Sequence, residues 1–154
     1  MIDDEDRILA EALAALGAAG GGSGGRFGAR FAAERLRKNV HEVPLTLPAP
    51  LDAATRQVSG VLARLGSPRR AARGADPTVR RVLRAVIGGG FGKMNPVLVT
   101  VTLTADGQDG TVVSVRGAAK EGLIKQRAGE RTARRVAALL TAADPDGSRA
   151  AAGR

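Results

Sequence analysis

The sequence predicts an α+β fold in which two helices pack on one face of an antiparallel sheet of about four strands. Two observations predict it. Residues 96–119 form two runs of alternating apolar and polar positions on either side of a turn, which is typical of a β-hairpin. One segment before this hairpin and one after it have apolar residues three and four positions apart, which is typical of amphipathic helices. With two further short strands, the predicted order is β-α-β-β-β-α, a two-layer domain.

The first 40 residues are predicted to form a helical extension outside the main domain. Four acidic residues at 3–6 favour a helix N-terminus, and leucines follow at helical spacing, so a helix is expected over residues 4–16. Residues 20–25 are all Gly or Ser and predict a flexible linker. A second short segment continues to residue 40.

The globular domain is expected over residues 41–143, followed by a disordered tail at 144–154. Residues 43–47 alternate in polarity, and Pro44 and Pro48 confine this strand to a sheet edge. Asp52 is the expected N-cap of a helix that ends before Gly66, with its apolar face formed by Val58, Val61, Leu62 and Leu65. A basic loop is expected at residues 67–75.

Residues 79–87 fit two interpretations. Their apolar residues match helical spacing, and Asp76 with Pro77 is typical of a helix start. A strand would instead complete a hairpin with residues 96–104. We favour the strand, because a Gly-rich connection and a definite strand follow.

The last elements are the best defined. Val97, Val99, Val101 and Leu103 alternate with Leu98 and three threonines, and the turn at residues 106–110 leads to a second strand over 111–119. From residue 123 the period becomes helical, and Ile124, Ala128, Val136, Leu139 and Leu140 share one side.

The composition argues against most catalytic sites. The chain has no cysteine and a single histidine, His41, so disulfides and thiolate metal sites are excluded and no nucleophile–base pair can be assembled. We therefore expect no enzyme activity and no cofactor. The acidic N-terminus is unlike a secretory signal, and no apolar run is long enough to span a membrane, so a cytoplasmic location is predicted.

Two glycine patterns resemble nucleotide-binding motifs without satisfying them. Gly20, Gly22 and Gly25 match the dinucleotide spacing, but a helical segment precedes them where a strand is needed. The run ending in Lys93 has Ile87 and Met94 where a phosphate loop needs its first glycine and its hydroxyl. Both runs are therefore interpreted as connections.

Basic charge is the remaining functional signal. The net charge is +9, from 24 basic and 15 acidic residues. A candidate binding stripe lies on and before the last helix and comprises Lys120, Lys125, Arg127, Arg131 and Arg134. A different explanation needs no partner: 20 of the 24 basic residues are Arg, as a GC-rich coding sequence would give.

Three hypotheses follow. The leading one is a non-enzymatic interaction module that binds a protein partner through its sheet face, an edge or the basic helix, with a homodimer left open. The second is non-specific binding of nucleic acid or an anionic surface by the basic stripe. The third is a small apolar ligand held between the sheet and the last helix, at a candidate loop comprising Phe91, Lys93, Met94 and Asn95.

Residues 82–140 resemble a group of small bacterial α+β domains of actinobacterial type with no assigned function. The similarity lies in the Gly-rich turn at 88–96, the strands at 97–103 and 111–115, and the run at 119–126. The resemblance implies the β-α-β-β-β-α order and no catalytic residues. It therefore leaves function open.

Overall fold

The computed structural model describes residues 4–69, 79–89, 95–121 and 127–142. Along the chain, the elements within these ranges are α1 Asp4–Arg35, β1 Arg37–Leu47, α2 Leu51–Leu65, β2 Gly66–Arg69, β3 Arg80–Gly89, β4 Asn95–Asp106, β5 Gly110–Glu121 and α3 Ala128–Ala142. The predicted α+β class is confirmed. The antiparallel sheet has five strands rather than about four, in the order β1-β5-β4-β3-β2.

The central hairpin is formed by β4 and β5, as predicted. Val101 lies opposite Val115, and Gly107 in the connecting turn has a φ of 71°. Residues with side chains avoid this left-handed region, so glycine suits the turn. The strand prediction for residues 79–87 is also confirmed, because β3 pairs with β4 along its whole length.

Both sheet edges contain proline. Strand β1 is an edge strand, as its prolines predicted, although it begins earlier than expected, at Arg37. The basic loop predicted at 67–75 is wrong at its start, since Gly66–Arg69 forms the opposite edge strand, β2. The residues of β2 have low strand propensity, and pairing with β3 outweighs it. At Gly66 a Cβ would overlap the carbonyl of Val86, which makes glycine necessary there.

Helices α2 and α3 pack side by side on one face of the sheet, as predicted. The Gln57 amide donates to the Leu140 carbonyl at 2.8 Å and joins the two helices. The core beneath them is aliphatic and includes Val58, Val61, Val99, Val101, Val115, Val136 and Leu140. The predicted N-cap of α2 is wrong: Pro50 occupies that position, and Asp52 lies in the first turn, where its carboxylate is 2.5 Å from Arg81.

Helix α3 begins at Ala128, where the Glu121 carboxylate accepts a hydrogen bond from the Ala128 amide at 2.6 Å. This contact satisfies one of the free amides of the helix start. The first residues of the helix predicted from position 123, including Ile124, fall outside the described ranges. The predicted tail at 144–154 also falls outside them.

Helix α1 differs most from the sequence prediction. Its backbone is helical from Asp4 to Arg35 and includes residues 20–25, where a linker was predicted. Its first turns pack on the second face of the sheet, which is the face opposite α2 and α3. There Ile8 and Leu9 contact Leu98 and Ala118. None of the helices in the described ranges has the length and hydropathy of a membrane span.

The axis of α1 cannot be straight. A helix rises about 1.5 Å per residue, so Glu5 and Arg35 would lie about 45 Å apart on a straight axis. Yet the Glu5 carboxylate is 3.3 Å from the ammonium of Lys38. The extended residues from Arg35 to Lys38 span at most about 11 Å. The path of the chain therefore turns back between the docked first turns and Arg35.

Candidate binding surfaces

The second face of the sheet holds four basic side chains, which we call the basic cluster: Lys38, Arg84, Arg116 and Lys120. Arg84 and Arg116 lie on either side of Thr100 in one row across β3, β4 and β5. Lys38 and Lys120 are neighbours across β1 and β5. Side chains on one face recur every second residue, so this cluster follows from the strand register.

The acidic first turn of α1 neutralises this basic cluster. Asp4 lies 2.6 Å from Arg84, and the Glu5 carboxylate contacts Arg116 at 3.1 Å and Lys38 at 3.3 Å. Asp6 lies 3.5 Å from Lys120. The side chain of Lys120 is only 5% exposed, so these are partly buried ion pairs, which water screens less than surface pairs.

An apolar row separates the two pairs of basic residues. It consists of Val40, Ala118, Leu98 and Val86, which are neighbours across four strands. Ile8 and Leu9 of α1 pack on it. The acids of the first turn therefore contact basic residues on both sides of the apolar row, and Ile8 and Leu9 pack on the row itself.

The ion pairs change the acidity of two carboxyl groups. Hydrogen bonds from Arg7 and Arg84 hold the pKa of Asp4 below its usual value. Burial by itself raises the pKa of Glu5, but the hydrogen bonds and charges of Arg116 and Lys38 outweigh it, and the pKa is lowered. Both groups are therefore ionised near neutral pH.

Two buried polar atoms on this face have no hydrogen-bond partner among the residues that the structure describes. They are the hydroxyl of Thr100, which is 8% exposed, and the Nε atom of Arg84. Unpaired buried polar groups reduce stability.

A second basic surface lies on the outer side of the helical layer. We call it the arginine surface: Arg56, Arg64, Arg127, Arg131, Arg134 and Arg135, all exposed. The acids on these two helices are Asp52, which pairs with Arg81, and Glu130, which lies 3.0 Å from Arg134 and 4.0 Å from Arg127. Six exposed arginines thus lie on or directly before the two helices, which carry two acids.

The structure separates the residues of the predicted stripe. Arg127, Arg131 and Arg134 are all exposed at or near the start of α3. Lys120 does not belong with them, since β5 extends to Glu121 and directs Lys120 toward α1 on the other side of the sheet. Lys125 lies outside the described ranges.

The candidate loop is mostly outside the described ranges, which omit Phe91, Lys93 and Met94. Asn95 begins β4 and pairs with Gly89. Where α3 meets β5, the Gly117 and Gly129 backbones touch, and a Cβ on Gly129 would lie 2.9 Å from the Gly117 carbonyl oxygen. This part of the interface has no room for the apolar ligand considered from the sequence.

Metal ligation has no support in the described ranges, where no three His, Asp or Glu side chains come together. Asn39 and the amide of Ala128 bind the two oxygens of the buried Glu121 carboxylate. That carboxylate therefore has a structural role at the start of α3.

Comparisons with known proteins add no function. No protein-family model matches the chain, and no curated protein matches it. Among solved structures, the Mll3558 protein from Rhizobium loti is similar over 70% of this chain and 97% of its own, with 20% identity and a TM-score of 0.45. The Zhui aromatase/cyclase from Streptomyces sp. R1128 is similar over 75% of this chain and 99% of its own, with 13% identity and a TM-score of 0.39. At these levels neither similarity supports an activity or a ligand for this chain.

Proposed function

We propose that the protein is a non-enzymatic binding module whose arginine surface binds double-stranded nucleic acid through the phosphate backbone. The observation that supports the proposal is the group of six exposed arginines on and beside helices α2 and α3. A basic surface of this kind attracts a polyanion and accelerates its association.

The basic cluster on the α1 side is opposed by acids: its four residues face Asp4, Glu5, Asp6 and, on β1, Glu42. Helices α2 and α3 carry five arginines, and Arg127 directly precedes α3. The two helices carry two acids, of which Asp52 is already paired with Arg81.

The residue types favour phosphate contacts over base contacts. Guanidinium groups form paired hydrogen bonds with phosphate oxygens. The sequence has no Tyr or Trp and only three Phe, so the aromatic platforms that stack single-stranded bases are scarce. Two packed helices provide a rigid surface suited to a duplex, with little dependence on base sequence.

The acid within the arginine surface does not prevent binding. Glu130 is shared by Arg127 and Arg134, whose side chains are 74% and 65% exposed. Exposed pairs of this kind contribute at most about 1 kcal/mol, so a phosphate can displace the carboxylate at low cost.

The absence of catalysis is part of the proposal. Its support is the residue inventory: one histidine, no cysteine, and buried carboxylates at Glu5 and Glu121 that already bind basic or amide groups. No general acid–base pair with a free partner follows from these contacts.

Fluorescence anisotropy with a short DNA duplex at several salt concentrations tests the proposal. Replacing Arg127, Arg131 and Arg134 by Gln should weaken binding of all sequences alike and reduce the slope of log affinity against log salt by up to about three units. The matched control replaces Arg37, Arg69 and Arg80, which are also exposed but lie on the strands, and should retain most of the affinity.

Two results would contradict the proposal. Equal losses in the two triple variants would mean that net charge, and not this surface, determines binding. Absence of duplex binding by the unmodified protein at low salt would exclude nucleic acid, and binding of polyglutamate in its place would indicate an acidic protein partner.

A further inference from the structure

We propose that Glu121 is a positioning residue of the arginine surface. Its buried carboxylate holds the start of α3 against the sheet and thereby fixes the backbone of Arg127, whose guanidinium contacts the phosphate backbone of the duplex. The inference rests on the proposed nucleic-acid binding and adds to it a residue that acts from the interior of the domain. Glu121 itself is only 7% exposed and does not touch the ligand.

Three contacts, which we call the α3 clamp, fix the start of this helix. The Ala128 amide donates to one oxygen of the Glu121 carboxylate at 2.6 Å, and the Asn39 side chain donates to the other at 3.3 Å. The backbones of Gly117 and Gly129 touch, with no room for a Cβ on either residue. A hydrogen bond to a carboxylate is among the strong ones, so Ala128 has little freedom to move.

Arg127 stands directly before this clamp and has an unusual backbone. Its carbonyl accepts a hydrogen bond from the Arg131 amide at 3.0 Å, so it is the N-cap residue of α3. Such residues normally have an extended backbone and a short polar side chain that binds the first amides. Arg127 has a φ of 50°, a left-handed value that no other residue with a side chain has in the described ranges. Glu121 binds the Ala128 amide in its place.

Arginine at this position lowers stability in two ways. The left-handed conformation crowds the Cβ of any residue other than glycine. A positive charge is also unfavourable at the start of a helix, where the helix dipole is positive. The Arg127 side chain gains little in return, since it is 74% exposed and its ion pair with Glu130 is 4.0 Å long. Backbone outliers of this kind cluster at functional sites, which favours a role for this guanidinium in binding.

The α3 clamp links Glu121 to that role. The φ of Arg127 sets the direction of its side chain relative to the helix that follows, and the clamp keeps that helix in place. Without the carboxylate, the first amides of α3 lose a partner and the first turn frays. Arg127 then samples several conformations, and ordering it on the duplex costs conformational entropy.

A double-mutant cycle, measured by fluorescence anisotropy with a short DNA duplex, tests the link. Glu121→Gln removes an acid and raises the net charge of +9 by one, so general electrostatics would strengthen binding. Positioning predicts the opposite, a loss of affinity of about 5-fold. In the Arg127→Gly background, Glu121→Gln should cause no further loss. The matched control is the Arg135→Gln background, an exposed arginine of the same helix, where the loss should persist in full.

Arg127→Gly also has a signature of its own. Glycine adopts a φ of 50° without crowding, so this variant should keep or raise Tm. It should nevertheless lose about 10-fold in duplex affinity and about one unit of the slope of log affinity against log salt. If Glu121→Gln does not fold by circular dichroism, Asn39→Ala takes its place in the cycle, because it removes the second hydrogen bond of the same carboxylate.

Several results would overturn the inference. Stronger duplex binding by Glu121→Gln would mean that Glu121 acts only through net charge. An equal loss with and without Arg127 would mean that it acts on the fold as a whole. If the triple-arginine variant loses binding and Glu121→Gln does not, the proposed function stands and the positioning role is refuted. If the unmodified protein binds no duplex, both are refuted.

Discussion

Replacing Gly117 with alanine should destabilise the domain strongly, although it adds a single methyl group. Gly117 lies in β5 where α3 begins, and a Cβ at this position would overlap the carbonyl oxygen of Gly129 and approach the Cβ of Ala133 to 3.2 Å. The obstacle is backbone, which cannot rotate away as a flexible side chain would. Helix and strand would have to separate.

The expected loss of folding stability follows from the cost of overpacking a core. Added methyl groups in a packed core typically cost about 1–3 kcal/mol. Since both Gly117 and Gly129 are buried at this contact, we expect the upper end, about 3 kcal/mol. For a chain of this size each kcal/mol corresponds to a shift of about 2–4 °C in Tm, so Gly117→Ala should lower Tm by roughly 6–12 °C.

Gly60→Ala is the matched control, since the chemical change is identical. Gly60 is an exposed residue of α2, and a Cβ there would have no neighbour within 4 Å. Alanine is the better helix former, so this variant should gain up to about 1 kcal/mol. Thermal unfolding followed by circular dichroism measures both. Equal shifts, or a Gly117→Ala protein as stable as the parent, would refute the close approach of β5 and α3.

Three further predictions concern stability. Val99 is fully buried and Val112 is 45% exposed, so Val99→Asp should unfold the domain and Val112→Asp should be tolerated, as urea denaturation would show. Folding lowers the pKa of Glu5 from its usual 4.5, so its ion pairs stabilise the fold above that pH and lose their effect as pH falls through the lower folded-state pKa. Glu5→Gln should therefore cost about 2 kcal/mol at neutral pH, and this difference should shrink when denaturation is repeated below pH 4.5. Gly107→Ala should cost about 1 kcal/mol because of the φ of 71° in the hairpin turn, and a neutral result would mean that the turn adopts another conformation.

The sequence contains a signal for the basic cluster. Arg84 and Arg116 occupy strand positions on the face expected to be mostly threonine, and four acidic residues stand at positions 3–6. Strand register could have placed the two arginines on either side of Thr100. No local pattern, however, indicates that residues 4–6 contact Arg84 and Arg116, which lie more than 70 positions further along the chain.

Short-range sequence patterns determined much of the secondary structure of this protein. The period of two in residues 96–119, the glycine turn, the apolar face of α2 and the prolines of β1 each reflect short-range physics: side-chain alternation, allowed φ values and missing amide donors. These features therefore predicted the hairpin, the edge strand and the α+β class.

The tertiary structure decided what depends on contacts between distant residues. Gly66–Arg69 has little strand propensity and is extended because β3 offers a pairing edge. Lys120 is an ion-pair partner of Asp6 because β5 extends as far as Glu121. Gly117 and Gly129 meet only after β5 and α3 pack. Such contacts depend on the free energy of pairing and packing between distant segments. The secondary-structure propensity of a single segment contributes little to it.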